Sequence, residues 1–143
     1  MPPLIFVLFL VLSFLLNAYL PIAKITNPLC SSLGIAAVIS GILIVGWTVI
    51  LFKKRKTTLR PRKDPQELEI YGPFRFTRNP IYLGFFLVLL GIDFILGSLA
   101  ILIVPLLFVI IMSAAVIPTE EKNIEKVFGS QYRDYKRRVR RWL

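Results

Sequence analysis

Two groups of residues could carry chemistry in this otherwise apolar chain. Tyr71, Arg75, Arg78, Asn79 and Tyr82 crowd one short stretch, and Glu120 and Glu121 stand side by side much later. Arginine forks bind carboxylates and phosphates. Carboxylates receive ammonium or hydroxyl donors, or take a proton. Tyrosine faces hold cations. The chain has no histidine, which leaves Glu120 and Glu121 as the plausible proton acceptors. Cys30 is alone and forms no intrachain disulfide. Singly, each feature has an ordinary explanation: arginines touch head groups, glutamates start helices, and tyrosines anchor at a membrane surface. Chemistry requires that the elements carrying them converge.

Those elements are membrane helices. Of the 143 residues, 56% are hydrophobic, more than one soluble core of this size can hide. They fall in long runs. Leu4 to Leu20 has only Ser13 and Asn17 as polar interruptions, Ile35 to Phe52 has no charge, and Ile81 to Ile117 has only Asp93. A span needs roughly 20 apolar residues, so the first two runs predict one helix each and the third predicts two short ones. Gly91-Ile92-Asp93 and Gly97-Ser98 offer the turn, and Pro105 is expected to kink the fourth helix. The first run lacks a basic start and a small-residue cleavage site, and reads as an anchor rather than a signal peptide.

Charge sets the topology. Seven of the 18 Lys and Arg lie between Lys53 and Lys63, Arg75 and Arg78 follow, and eight more run from Lys122 onward, leaving Lys24 elsewhere. Two spans between these basic segments put both on one side, which the positive-inside rule makes the cytoplasm. Both termini are then cytoplasmic, in a bacterial or archaeal inner membrane or the endoplasmic reticulum. The net charge of +10 is a topology signal and contact with membrane lipids, not a nucleic-acid site. The expected fold is all-α and integral to the membrane: about four transmembrane helices plus a C-terminal amphipathic interfacial helix. It forms a single membrane domain over 1–143, with a hairpin over 1–52, a cytoplasmic connector over 53–80, and a second hairpin with the C-terminal helix over 81–143.

Local signals refine this frame. Gly34, Ala37 and Gly41 share one helix face where another helix can approach closely. Gly72-Pro73 signals a turn, and Asn79-Pro80 reads as an N-cap and first helical residue whose free N–H groups can receive an anion. Thr119 is expected to cap a new helix after Pro118, with Glu120 and Glu121 in its first turn. Ile124, Val127, Phe128, Tyr132, Tyr135, Val139 and Trp142 then recur every three or four residues, with a bend at Gly129-Ser130. This topology brings the start of span three and the end of span four to one membrane face. Arg75, Arg78, Asn79, Tyr71, Tyr82, Glu120 and Glu121 would meet there in a half-lipid, mixed-charge pocket.

The block Gly72-Pro73-Phe74-Arg75-Phe76-Thr77-Arg78-Asn79-Pro80-Ile81-Tyr82-Leu83-Gly84, with Gly91 beyond it, resembles the signature of the integral membrane methyltransferases. That superfamily includes isoprenylcysteine carboxyl methyltransferase and the phospholipid N-methyltransferases. A second block runs from Glu120-Glu121 through Ile124, Phe128-Gly129, Tyr132, Tyr135 and Val139 to Arg141-Trp142, and the resemblance covers roughly residues 57–143. It implies S-adenosylmethionine as cofactor, bound without a Rossmann fold, and the chain indeed has no Gly-rich nucleotide fingerprint. It implies no metal.

By that resemblance Arg75 or Arg78 and the amides opening span three take the cofactor carboxylate. Glu120 or Glu121 takes its ammonium and ribose, and Tyr71, Phe74, Tyr82, Tyr132 and Tyr135 face its adenine and sulfonium. Gly72, Pro80 and Gly84 belong to the same binding block, and Arg78, Glu120 and Glu121 are the catalytic candidates. Family members often carry histidine where Asn79 stands. The implied partner is a lipophilic methyl acceptor: a prenylcysteine-type carboxylate, a phospholipid amine or an isoprenoid. An anionic acceptor needs no base, which slightly favours it here. Two rivals are a steroid-reductase-like NADPH enzyme, against which Phe85 follows Tyr82-Leu83-Gly84 where that class has Glu, and a non-catalytic membrane scaffold.

Overall fold

Long runs without charge or helix breakers become helices, because a helix satisfies its own backbone wherever water is scarce. In the computed structural model, which describes residues 2–20, 27–54, 68–97 and 102–143, every regular element is helical. Helix α1 is Pro2–Tyr19, α2 is Pro28–Lys54 and α3 is Pro80–Leu96. Helix α4, Ile103–Ile111, passes through a wide π turn, Met112–Val116, straight into α5, Ile117–Phe128. Helix α6 is Ser130–Arg138. Three helices are long and apolar enough to cross a membrane: α1, α2 and the continuous stretch Ile103–Phe128. The 17 residues of α3 form a shorter apolar helix of about 25 Å. The protein is a multi-pass, all-α membrane protein. The basic connector over 55–67 and Lys24 lie outside the described residues.

Helices α2 and α3 pack backbone against backbone. A Cβ on Gly34 would lie 2.6 Å from the Gly91 carbonyl oxygen, and one on Gly41 the same distance from that of Gly84. Two glycines spaced by seven on each helix thus interlock in antiparallel register. The predicted small-residue face is real, and its partner is α3. Helix α1 runs the same way as α3: Phe6 stacks on Phe85 with centroids 4.4 Å apart, and Ser13 lies against Asp93. Phe9 meets Phe108 of α4 edge-on at 5.6 Å. Tyr82, Leu89, Phe108, Met112 and Ile117 form the buried core beneath these contacts.

Three local expectations are corrected. Of the two expected turn places, Gly91-Ile92-Asp93 stays helical, while Gly97 ends α3 as expected, its φ of 69° supplying the left-handed cap. Pro105 falls in the first turn of α4, where a missing N–H leaves no bond unmade, so it starts the helix rather than kinking it. Thr119 caps nothing. The helix continues past Pro118, and the Thr119 hydroxyl donates back to the Ala115 carbonyl at 2.9 Å. Pro118 cannot donate to the preceding turn and its ring crowds it. The π turn widens the helix immediately before that residue.

Candidate functional site

The ends of the helices nearest Pro80 and Glu120 meet in a polar cluster. Pro80 opens α3 as predicted, but the Asn79 side chain does not cap it. Its amide nitrogen donates to the Arg141 carbonyl at 3.0 Å, while its backbone N–H goes to the Thr77 hydroxyl at 3.1 Å. Thr77 in turn donates to the same Arg141 carbonyl at 3.1 Å. The Arg78 N–H reaches the Arg140 carbonyl at 3.0 Å, and its Nη1 donates to the carbonyls of Lys136 and Val139, both at 3.1 Å. The loop before α3 is therefore held by carbonyls of the segment after α6. Helix α6 ends at Arg138 and Val139 is extended, so the helical periodicity predicted through Trp142 stops short. The segment turns back to seat Trp142, whose Nε1 donates to the Ser113 hydroxyl at 3.0 Å. The predicted bend at Gly129 is present, with φ at 53°.

One carboxylate sits at the centre. Arg78 Nη2 lies 2.8 Å from Glu121 Oε1, with both side chains buried, and Arg141 Nη2 bonds Glu121 Oε2 at 2.9 Å. Arg141 Nη1 also reaches the Ser113 carbonyl, inside the π turn, at 3.4 Å. Glu121 thus has two guanidinium partners, with Glu120 standing beside it as a second carboxylate. The pairing is incomplete. Arg78 Nε, Arg141 Nε and Glu121 Oε1 are buried without an aligned hydrogen-bond partner, the close Arg78–Glu121 contact being an ion contact only. Orphaned donors and acceptors side by side are costly unless a ligand takes them up.

Next to this triad, the buried Tyr82 donates its hydroxyl to Glu120, 2.8 Å from each carboxylate oxygen. Tyr132 and Tyr135 close the other side. Burial holds both phenols well above the ordinary tyrosine range, and the neighbouring Glu121 charge adds to this for Tyr132. Tyr135 donates to the Phe74 carbonyl at 2.7 Å, tying α6 to the 3-10 turn Gly72–Arg75. An open groove of about 340 Å³ leads to the cluster, lined by Pro118, Glu121, Lys122, Glu125, Lys126, Lys136 and Arg141.

The structure thus brings together Arg78, Asn79, Pro80, Tyr82, Glu120, Glu121, Tyr132 and Tyr135. It leaves others apart. Arg75 and Tyr71 are exposed on the loop, and Phe74 packs edge-on against Phe52 at 5.5 Å. Gly72 takes a φ of 58° beside Leu51 and Trp47, a backbone role. Gly84 lies in the α2–α3 seam against Val45 and Gly41. Sequence reasoning passed over Arg141, Thr77 and Ser113. The Arg141-Trp142 pair closing the second motif block was the available signal for the first of these.

Residues 29–131 match the family model described as "Phospholipid methyltransferase". An uncharacterized protein of Haemophilus influenzae is 36% identical over 63 residues, which is 44% of this chain and the whole of that protein. No solved structure matches. The matched span holds α2, α3, α4 and α5 together with Arg78, Glu120 and Glu121, and the chain belongs to the phospholipid methyltransferase family.

Proposed function

We propose that this member of the phospholipid methyltransferase family transfers the methyl group of S-adenosylmethionine to a lipid acceptor, using the cluster around Glu121. The observation that carries the reading is two guanidinium Nε donors, buried without partners, beside the Glu121 carboxylate. An α-amino acid end group needs such a set. Arg78 and Arg141 would hold its carboxylate with charge-assisted bonds, and Glu121 Oε1 its ammonium. When bound, S-adenosylmethionine supplies an electrophilic methyl on a sulfonium. Tyr82, Tyr132 and Tyr135 stay neutral and present apolar faces with electron-rich surfaces toward such a cation.

What the chain contributes to the reaction is positioning and exclusion of water, since in-line displacement gains chiefly from alignment. Lys122 and Lys126 on the groove suit an acceptor with an anionic group, either a lipid phosphate or a carboxylate. For an amine acceptor, Glu120 is the proton acceptor within the cluster, since among the described residues its hydrogen-bond partner is the neutral Tyr82. The basic segments that flank this end in sequence support placing it at the cytoplasmic face.

The test is transfer of labelled methyl from S-adenosylmethionine to a membrane lipid extract by the purified protein, followed by identification of the product. Saturable cofactor binding and a labelled lipid are expected. Saturable NADPH binding with no affinity for S-adenosylmethionine would sink the assignment.

A further inference from the structure

Asp93 is the one charge inside the apolar run from Ile81 to Ile117, and the polar cluster does not use it. It lies on α3 eleven residues beyond Tyr82, about 16 Å along the helix, and it is 1% exposed. Ser13 of α1, fully buried, lies against it. Asn17 follows Ser13 by one turn on the same face of α1. Ser13 Oγ and both carboxylate oxygens of Asp93 are buried without an aligned hydrogen bond, and so, one turn along α1, is Asn17 Oδ1. No lysine or arginine pairs with Asp93 among the described residues. A lone carboxylate between spanning helices is costly, and such groups are kept where they bind something.

The donor set identifies the ligand class. All four atoms are hard oxygens, which suit s-block cations rather than zinc or copper. The site carries one negative charge, so a monovalent ion neutralises it, whereas a divalent ion would leave a net charge in low dielectric. Three side chains from two helices give few ligands, which favours a small ion. We propose that Ser13, Asn17 and Asp93 form a binding site for a single sodium ion between α1 and α3, apart from the arginine–glutamate cluster. The ion bridges the two helices beside the Ser13–Asp93 contact.

The experiment is thermal unfolding of the purified full chain in detergent, with sodium, potassium or choline chloride at constant ionic strength. Sodium is expected to raise Tm progressively with concentration, by about 4 °C near saturation, with little effect of potassium or choline. Asp93→Asn should lose the response. Ser13→Ala, a milder change that keeps the carboxylate, should shift the half-maximal sodium concentration up by about tenfold. A wild-type Tm indifferent to sodium would overturn the proposal and identify Asp93 as a protonated carboxyl bonded within the bundle. A sodium response that persists unchanged in both variants would overturn it too. No step of the readout depends on methyl transfer.

Discussion

The seam between α2 and α3 and the cluster around Glu121 are both tightly buried, yet they are built on opposite principles. In the seam no polar side chain is used: backbone carbonyls and the apolar side chains Val38, Val45, Val88 and Ile95 lie against the glycines. Gly34, Gly41, Gly84 and Gly91 let two backbones touch, and specificity comes from the absence of a Cβ. In the cluster, long side chains from the loop before α3, from α5 and from the segment after α6 interlock through charge. The seam aligns the helices and the cluster uses the alignment. A defect in the first should cost stability without touching ligand affinity, and a defect in the second should cost both.

The largest effect is expected from Arg78→Ala. It removes the partner of a buried carboxylate and two carbonyl bonds, and should destabilise the protein by about 3–5 kcal/mol. Binding of S-adenosylmethionine, measured by calorimetry on the folded fraction, should fall below detection. Intact cofactor affinity would break the comparison. Tyr82→Phe strips Glu120 of its donor and should cost about 1.5–3 kcal/mol, read by thermal unfolding, with slower methyl transfer. Gly41→Ala places a Cβ against the Gly84 carbonyl, and helices cannot yield as a side-chain tip can. A loss of about 1–3 kcal/mol is expected, with cofactor affinity per folded molecule unchanged.

The smallest effect concerns pH. Burial raises the Tyr132 pKa in the folded protein, so the fold favours the neutral phenol. That contribution is fully present below the unfolded value of about 10 and is lost as pH rises beyond it. Tyr132→Phe should match the wild type at neutral pH and lose less stability at about pH 11. Denaturant unfolding at both pH values checks this. Equal alkaline losses in the two proteins would show that Tyr132 is not desolvated.

The contrast also explains what could be read in the sequence. Hydropathy gives the spans directly, because each apolar run maps onto one or two helices. Charge and span parity bring Arg78 and Asn79 to Glu120 and Glu121. The glycine face of α2 is visible in spacing alone. Its pairing with Gly84 is not, because that glycine sits inside a motif block and reads as part of it. The reach of the segment after α6 is not legible for a deeper reason. Arg78, Thr77 and Asn79 bond to carbonyls of Lys136, Val139, Arg140 and Arg141. Every residue type has a carbonyl, so no choice of side chain there announces the contact. The run past Pro118 is hidden similarly, since a proline normally marks a helix start and here the π turn absorbs it.

The fold-back of residues 136–142 has a consequence for timing. Arg78 and Glu121 belong to the part of the chain that forms α1 through α5, whereas the residues that fix them come after it. Until Arg141 and Trp142 arrive, Arg78 lacks its carbonyl partners and Glu121 its second guanidinium. Insertion of the spans and closure of the cluster are therefore separable, and the second waits for residues that follow every span.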